Sequence, residues 1–265
     1  MTGLQVVVLA IVQGLTEFLP ISSSGHLVLV PYLVEWTDQG LAFDVAVHFG
    51  SLVAVCLFFR GDILGLLRGT TQLLGGNTRL PQARMALAIG LGTVPTAVAG
   101  LLFASWIEAN LRDPSIIVYT LAGYGLLMAG ADRLCSSQRV IADVRLRDAI
   151  VIGCAQALSL VPGTSRSGVT ITAARFLGFE RRDAARFSFL LSAPVILLAT
   201  VYKGVELIVG DAPVAWGQLA LGALVSAIVA YLSIEFFMRF VSRIGLAPFA
   251  VYRLALAAVI LYVLV

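Results

Sequence analysis

The sequence predicts an all-α polytopic membrane protein built from two related halves that insert in opposite directions. Three observations predict it. Charged residues fill only 12% of the 265 positions while hydrophobic residues fill 59%, and a soluble domain carries about a quarter charged residues. Apolar runs long enough to cross roughly 30 Å of hydrocarbon recur with no polar interlude long enough to fold alone. Finally, two broken apolar stretches share a motif at a fixed spacing. A single membrane domain over 1–265 follows, with one repeat over about 1–135 and the second over about 148–265.

The first stretch, 4–33, is interrupted near its centre by Pro20, Ser22 to Ser24 and His26. Neither arm is a comfortable span, so the stretch is predicted to be a re-entrant helix hairpin. Such a break is tolerated at membrane depth only where protein buries it or a wet cavity solvates it. Spans follow over 42–59, 85–106 and 114–131. A second broken stretch, 149–178, has Pro162 to Gly168 at its centre, and spans follow over 187–205, 215–238 and 247–265. Met1 to Gly3 bring no basic side chain, and Gln13 and Glu17 interrupt the first apolar run, so no signal peptide is expected there.

Laying the first hairpin over the second at an offset of 143 places Gln13 on Gln156, Ser22 on Ser165, Ser24 on Ser167 and Gly25 on Gly168. Both halves read Q-x-L-[TS]-x5-S-x-S-G. Each hairpin precedes three spans, and that odd number turns the second half upside down, as in inverted repeats whose broken helices meet near the midplane. Charge agrees. With both hairpins returning to the side they entered, thirteen arginines between Arg60 and Arg243 fall on one face, against Arg112 and Lys203 on the other. The positive-inside rule makes the arginine-rich face cytoplasmic. Arg175 and Arg253 are expected to snorkel near that boundary.

Other function classes are excluded cheaply. A net charge of +3, scattered, is no nucleic-acid footprint. Cys56, Cys135 and Cys154 lack the C-x-x-C spacing of a metal or redox site.

The chemistry concentrates in the hairpins. Gln13 and Glu17, four apart, share a helix face. Pro20 stops that helix, and Ser22 to Ser24 sit where the next begins, serine being a favoured N-cap. A helix N-terminus offers unpaired N–H groups and partial positive charge, a ready phosphate site. His26 follows within the first turn, placed to face the same cavity. In the second hairpin Ser165, Ser167 and Gly168 repeat the pattern, and Arg166 stands where Ser23 does. A guanidinium forks onto phosphate oxygens and stays charged at any relevant pH. Glu17 is its candidate resting partner, since a carboxylate at membrane depth costs roughly 2.5–3.5 kcal/mol even on the lenient insertion scale. Asp44 and His48, also four apart, are candidates for the cavity mouth.

The motifs E-F-L-P-I-S-S-S-G-H (Glu17 to His26) and P-G-T-S-R-S-G (Pro162 to Gly168) resemble the two signatures of the undecaprenyl-diphosphate phosphatase family. F-D-V-A-V-H-F-G-S (Phe43 to Ser51), F-S-F-L-L (Phe187 to Leu191) and P-F-A-V-Y-R (Pro248 to Arg253) extend the resemblance over the whole chain. It implies hydrolysis of the lipid carrier diphosphate to the monophosphate at the outer face of the bacterial cytoplasmic membrane. That reaction recycles the carrier for peptidoglycan synthesis and confers bacitracin resistance. By position it implies Glu17, Ser23, His26 and Arg166 as catalytic residues, with Gln13, Ser22, Ser24, Gly25, Gln156, Ser165, Ser167 and Gly168 binding substrate.

Gln13 stands where some members have a second glutamate, so a Mg²⁺ or Ca²⁺ ion is expected to rest on Glu17, diphosphate and water. Ser23 attacking phosphorus with His26 as base, and His26 as nucleophile with Ser23 as donor, remain alternatives. The expected partners are the polyprenyl diphosphate and the bilayer, with a homodimer as a candidate assembly. A polyprenyl-phosphate flippase using the same cavity is the rival function. The Ser24–Gly25–His26 run echoes another class of lipid phosphatase, but that class needs a histidine six residues after the Arg of its S-R motif. Thr172 stands there.

Overall fold

A computed structural model of the chain describes residues 1–37, 39–111, 113–135, 137–209 and 215–264, and among them all regular structure is helical. Arg112, counted on the arginine-poor face, lies outside the described residues. The first hairpin is α1 (Gly3–Thr16) and α2 (Ser23–Leu33). Next come α3 (Gly40–Phe58), α4 (Arg60–Leu74), α5 (Pro81–Asn110) and α6 (Pro114–Leu134). The second hairpin is α7 (Leu146–Ala157) and α8 (Arg166–Phe176), and α9 (Arg181–Val209), α10 (Trp216–Ile244) and α11 (Ala247–Leu264) complete the chain.

Helices α3, α5, α6, α9 and α10 are long and apolar enough to cross a membrane. The sixth expected span, α11, is shorter, and its described part ends at Leu264. The sequence reading left 60–84 as a loop, whereas α4 occupies most of it. Ile63 and Leu66 of α4 pack on the main core, while Leu64, Leu67 and Leu74 are exposed beside charged and polar residues. Glycines, Arg68 and Thr70 to Gln72 interrupt its apolar residues, so α4 lacks the unbroken apolar run that marks a span.

Helix pairings correspond between the halves. α1 packs on α10 as α7 packs on α5; α3 packs on α10 as α9 packs on α5; α6 and α11 pack on each other, as do α3 and α9. The main core lies between them, with the Phe18 and Phe189 rings edge-to-face at 5.2 Å and Phe237 beside Phe189 at 5.7 Å.

Each hairpin returns to the end from which it started. Arg139 holds Asp148 in the first turn of α7 and also the Leu177 carbonyl just past α8. Trp36, just past α2, packs in the cluster that contains Val6 and Leu9 of α1.

Ion pairs gather at one end of the bundle. Arg181 and Arg175 share Asp132 at the end of α6, and Asp132 also accepts from the Leu246 amide at the α10–α11 turn. Arg186 pairs with Asp62. Arg175 does not snorkel: it is 1% exposed, bonded to Ser137 and to the carbonyls of Phe179 and Cys135. Its charge is neutralised in place because Asp132 and a ring of helix-end carbonyls lie within reach.

Close helix approach depends on glycine. A Cβ on Gly153 would stand 2.2 Å from the Gly92 carbonyl oxygen where α7 meets α5, and one on Gly50 would stand 2.2 Å from the Ala223 oxygen where α3 meets α10. Small residues at such crossings let backbones touch. Gly153→Ala is therefore expected to lower the thermal unfolding midpoint in detergent by several degrees, since overpacking costs about 1–3 kcal/mol. Gly90→Ala, with open space around its Cβ, should leave the midpoint unchanged; equal midpoints for the two variants would refute the close crossing.

Candidate active site

Both hairpins break in the same way. Glu17 caps the end of α1, Phe18 to Ile21 form the turn, and Ser22 N-caps α2 with φ 75° and ψ 96°. In the second hairpin Ser165 N-caps α8 with φ 69° and ψ 111°. A positive φ on a side-chain-bearing residue costs about 1–3 kcal/mol and persists only where its surroundings impose it. Both serines are so placed, and each accepts from the amide of the glycine three residues on, Gly25 and Gly168. Their hydroxyls lie 3.1 Å from Ser24 Oγ and 3.3 Å from Ser167 Oγ respectively. The two turns then touch: the Gly163 amide donates to Ser24 Oγ, and Ser167 Oγ donates to the Leu19 carbonyl.

A cavity of about 320 Å³ opens where the two helix starts converge, walled on its other sides by α3 and α9. Glu17, Ser22, Ser23, Ser24, Ser165 and Arg166 line its deep end. Ser23 Oγ donates to Glu17 Oε2 at 2.8 Å, Gln13 Nε2 donates to the same oxygen at 3.0 Å, and Arg166 Nη2 donates to Glu17 Oε1 at 2.8 Å. Glu17 is thus the resting partner of Arg166, whose Nη1 has no hydrogen-bond partner among the described residues. The guanidinium also lies over the Phe18 ring at 5.7 Å. A hydroxyl aimed at a carboxylate, beside a half-committed guanidinium and two helix N-termini, suits a nucleophile attacking an anionic phosphorus centre.

His26 is not brought to Ser23. Its Nδ1 lies 2.7 Å from the Ser22 carbonyl oxygen and its Nε2 lies 2.6 Å from the Tyr252 hydroxyl, so both ring nitrogens are committed. A carbonyl only accepts, so Nδ1 carries a proton; in the neutral ring Tyr252 donates to Nε2. The expectation that His26 faces the cavity is not met: its ring lies between the Ser22 carbonyl and the Tyr252 hydroxyl, away from the residues that line the cavity.

The histidine on the cavity wall is His48, with Nε2 3.7 Å from Glu17 Oε2 and its Nδ1 on the Asp44 carbonyl. Asp44 also lines the wall, as the i, i+4 spacing suggested. Ser159, Thr200 and Lys203 also line it and were missed; Ser159 holds the [TS] position of the shared repeat motif, and no local motif marks Thr200 or Lys203.

Other expected substrate contacts take supporting places. Gln156 is buried and donates to Thr96 between α7 and α5. Ser167, also buried, ties the turns together, and Gly25 and Gly168 form the first helical turns. Gln156 is not on the cavity wall because α7 ends one residue later, and 3₁₀ and turn residues separate it from Ser165. Among the described residues no three of His, Cys, Asp or Glu form a metal cage. The donor set fits a divalent ion only if Glu17 supplies a single carboxylate and diphosphate and water fill the remaining positions.

Residues 6–259 match the family described as Bacitracin resistance protein BacA. The chain is 50% identical over 261 residues to Undecaprenyl-diphosphatase 2 of Stutzerimonas stutzeri (strain A1501), covering 97% of each chain. It is 51% identical over 258 residues to the undecaprenyl-diphosphatase of Hahella chejuensis, again covering 97% of each. It is 50% identical over 262 residues to that of Nitrosococcus oceani, covering 99% of each.

The Glu17–Arg166 pair generates a stability prediction. Glu17→Gln strands the guanidinium and Arg166→Met strands the carboxylate, so each single variant should unfold at lower temperature. The double variant should recover part of the loss, with a coupling of about 1–3 kcal/mol for residues in direct contact. Additive losses in thermal unfolding would mean that the pair does not form.

Proposed function

The chain belongs to the Bacitracin resistance protein BacA family, and we propose that it hydrolyses undecaprenyl diphosphate to undecaprenyl phosphate and inorganic phosphate. One observation carries the reading: Ser23, Glu17 and Arg166, drawn from two separate hairpins, meet between two helix N-termini in a single cavity. Arg166 turns its unpartnered Nη1 to the terminal phosphate, and the N-terminal amides of α2 and α8 stabilise charge on the equatorial oxygens.

Ser23 Oγ attacks the terminal phosphorus and its proton passes to Glu17. The bond to the bridging oxygen breaks, undecaprenyl phosphate leaves, and water hydrolyses the phosphoserine to release phosphate. Glu17 thereby takes the base role that the sequence suggested for His26. A bound Mg²⁺ or Ca²⁺ would be held by Glu17 and would supply charge neutralisation on the diphosphate.

The halves form an inverted repeat in this reading, supported by the shared motif, the matched N-cap geometry of Ser22 and Ser165, and the corresponding helix pairings. The ion-paired end, with Arg139, Arg175, Arg181 and Arg186, faces the cytoplasm of a bacterial cell. The cavity opens past Leu41 and Lys203 at the opposite, outer end. Substrate in the outer leaflet lowers its diphosphate to Ser23 and Arg166 while the prenyl chain stays in lipid. The liberated carrier returns to peptidoglycan synthesis, which opposes an antibiotic that traps the diphosphate form.

Purified protein given undecaprenyl diphosphate in detergent should release inorganic phosphate, and more slowly with a chelator present. A flippase without hydrolysis would release none. Arg166→Lys should lower kcat/KM by at least about 100-fold, because a point charge cannot replace the planar fork; near-wild-type turnover would remove the fork from the mechanism.

Topology is tested separately, by labelling single cysteines on intact cells with an impermeant thiol reagent, in a background lacking the native three. Cysteine at Gln39 should label directly, and cysteine at Thr78 or Gln138 only after permeabilisation. Labelling of Gln39 and Thr78 from one side would overturn the orientation.

A further inference from the structure

Tyr252 and Arg253 are adjacent in α11, and their side chains reach different hairpins. Arg253 is 0% exposed, so it does not snorkel as its sequence position suggests. Its Nη2 donates to the carbonyls of Gly163 and Thr164 at 3.0 Å each and to Thr120 at 3.2 Å, and its Nε donates to the Leu121 carbonyl at 3.1 Å. Its Nη1 has no hydrogen-bond partner among the described residues and lies against the first turn of α8, where a Cβ on Gly168 would stand 3.0 Å away. Glycine in the S-R-S-G motif therefore makes room for this guanidinium. The described residues offer it carbonyl dipoles and no carboxylate. Tyr252 bonds His26 Nε2 at 2.6 Å with its ring parallel to the imidazole, and His26 Nδ1 grips the Ser22 carbonyl.

A trans peptide unit is planar, with C=O and N–H pointing in opposite directions. Holding the Thr164 carbonyl toward Arg253 therefore fixes the Ser165 N–H to point away from it. Holding the Ser22 carbonyl toward His26 fixes the direction of the Ser23 N–H in the same way. Ser23 opens α2 and Ser165 caps α8, and N–H groups at a helix start have no intrahelical acceptor. The two α11 side chains thus set the orientation of the amides that meet the anion. The uncompensated Arg253 charge adds a positive field behind α8. We propose that Tyr252 and Arg253 act as a clamp of positioning residues, Tyr252 through His26 on the Ser22 turn and Arg253 directly on the Gly163–Thr164 turn. Together they fix both phosphate-facing helix starts relative to each other. On this assignment His26 is the middle link of the clamp and takes no proton from Ser23.

The kinetic half of this inference rests on the phosphatase reading above, so the test carries a readout that does not. Tyr252→Phe removes one hydroxyl from a ring that is 44% exposed and keeps the stacking, so the bundle should still fold. Its kcat on undecaprenyl diphosphate should fall about tenfold or more while KM stays within about twofold, because a misaimed donor weakens the transition state more than lipid binding. His26→Ala should cost little further in the Tyr252→Phe background, since the two act in series.

Hydrogen exchange followed by mass spectrometry, without substrate, should show peptides spanning 19–26 exchanging at least about fivefold faster in Tyr252→Phe. Arg253→Lys, whose ammonium cannot span four carbonyls, should do the same for peptides spanning 160–168. Turnover of Tyr252→Phe equal to wild type, or unchanged exchange in peptides 19–26, overturns the clamp. Wild-type protein that releases no phosphate would instead count against the phosphatase reading, and the exchange data would judge the clamp alone.

Discussion

The contact between Glu17 and Arg166 constrains everything around it. Hydrocarbon solvates neither a carboxylate nor a guanidinium, so each must find its partner inside the protein. These two, 149 positions apart in sequence, come from different hairpins and meet at 2.8 Å, which obliges both broken helices to end at the same depth. Once the turns meet, the remaining features follow: serines that cap, glycines that admit a close neighbour, and a cavity at the point where the two N-termini converge.

The same pair leaves the site ready for an anion. Arg166 gives one nitrogen to Glu17, and its other terminal nitrogen, buried, has no hydrogen-bond partner among the described residues, so an incoming phosphate need not first break every bond the guanidinium makes. Glu17 meanwhile collects Gln13, Ser23 and Arg166 on its two oxygens. The carboxylate is therefore fixed in orientation before substrate arrives, which limits the reorganisation left for the reaction itself. Strain at Ser22 and Ser165 belongs to this arrangement, because both serines cap their helices from a positive φ, the Ser22 carbonyl meeting His26 and the Ser165 carbonyl accepting from the Val169 amide.

Charge is handled differently at the arginine-rich end. There Arg175, Arg181 and Asp132, with Arg139 and Asp148, join the ends of α6 and α8 to the starts of α7 and α9. This network closes the end of the bundle opposite the cavity and holds the second hairpin at its base. Arg253 has no such acid among the described residues and uses four carbonyls in its place. A cation held only by dipoles keeps most of its field, and that field falls on the turn that carries Arg166.

By itself the sequence determined the helical membrane class, the break in both hairpins, the position of five of the expected spans, and the residues Glu17, Ser23 and Arg166 that meet in one cavity. These were legible because each rests on local chemistry: apolar run length, Pro20 and Pro162 as breaks, serine at helix starts, and the rarity of charge in such a chain. Helix α4 escaped because glycines, Arg68 and Thr70 to Gln72 break its apolar residues into pieces too short to read as a span. Only the tertiary structure decided what the buried polar groups do. It sent His26 to Tyr252 and Ser22, brought His48 to Glu17, buried Gln156 against Thr96, and sank Arg175 and Arg253 where a boundary position had suggested snorkelling. Each outcome depends on which carbonyl or hydroxyl a distant helix presents, and a buried polar group takes whatever partner lies within about 3 Å. Residue type and spacing set the need for a partner; packing alone chose it.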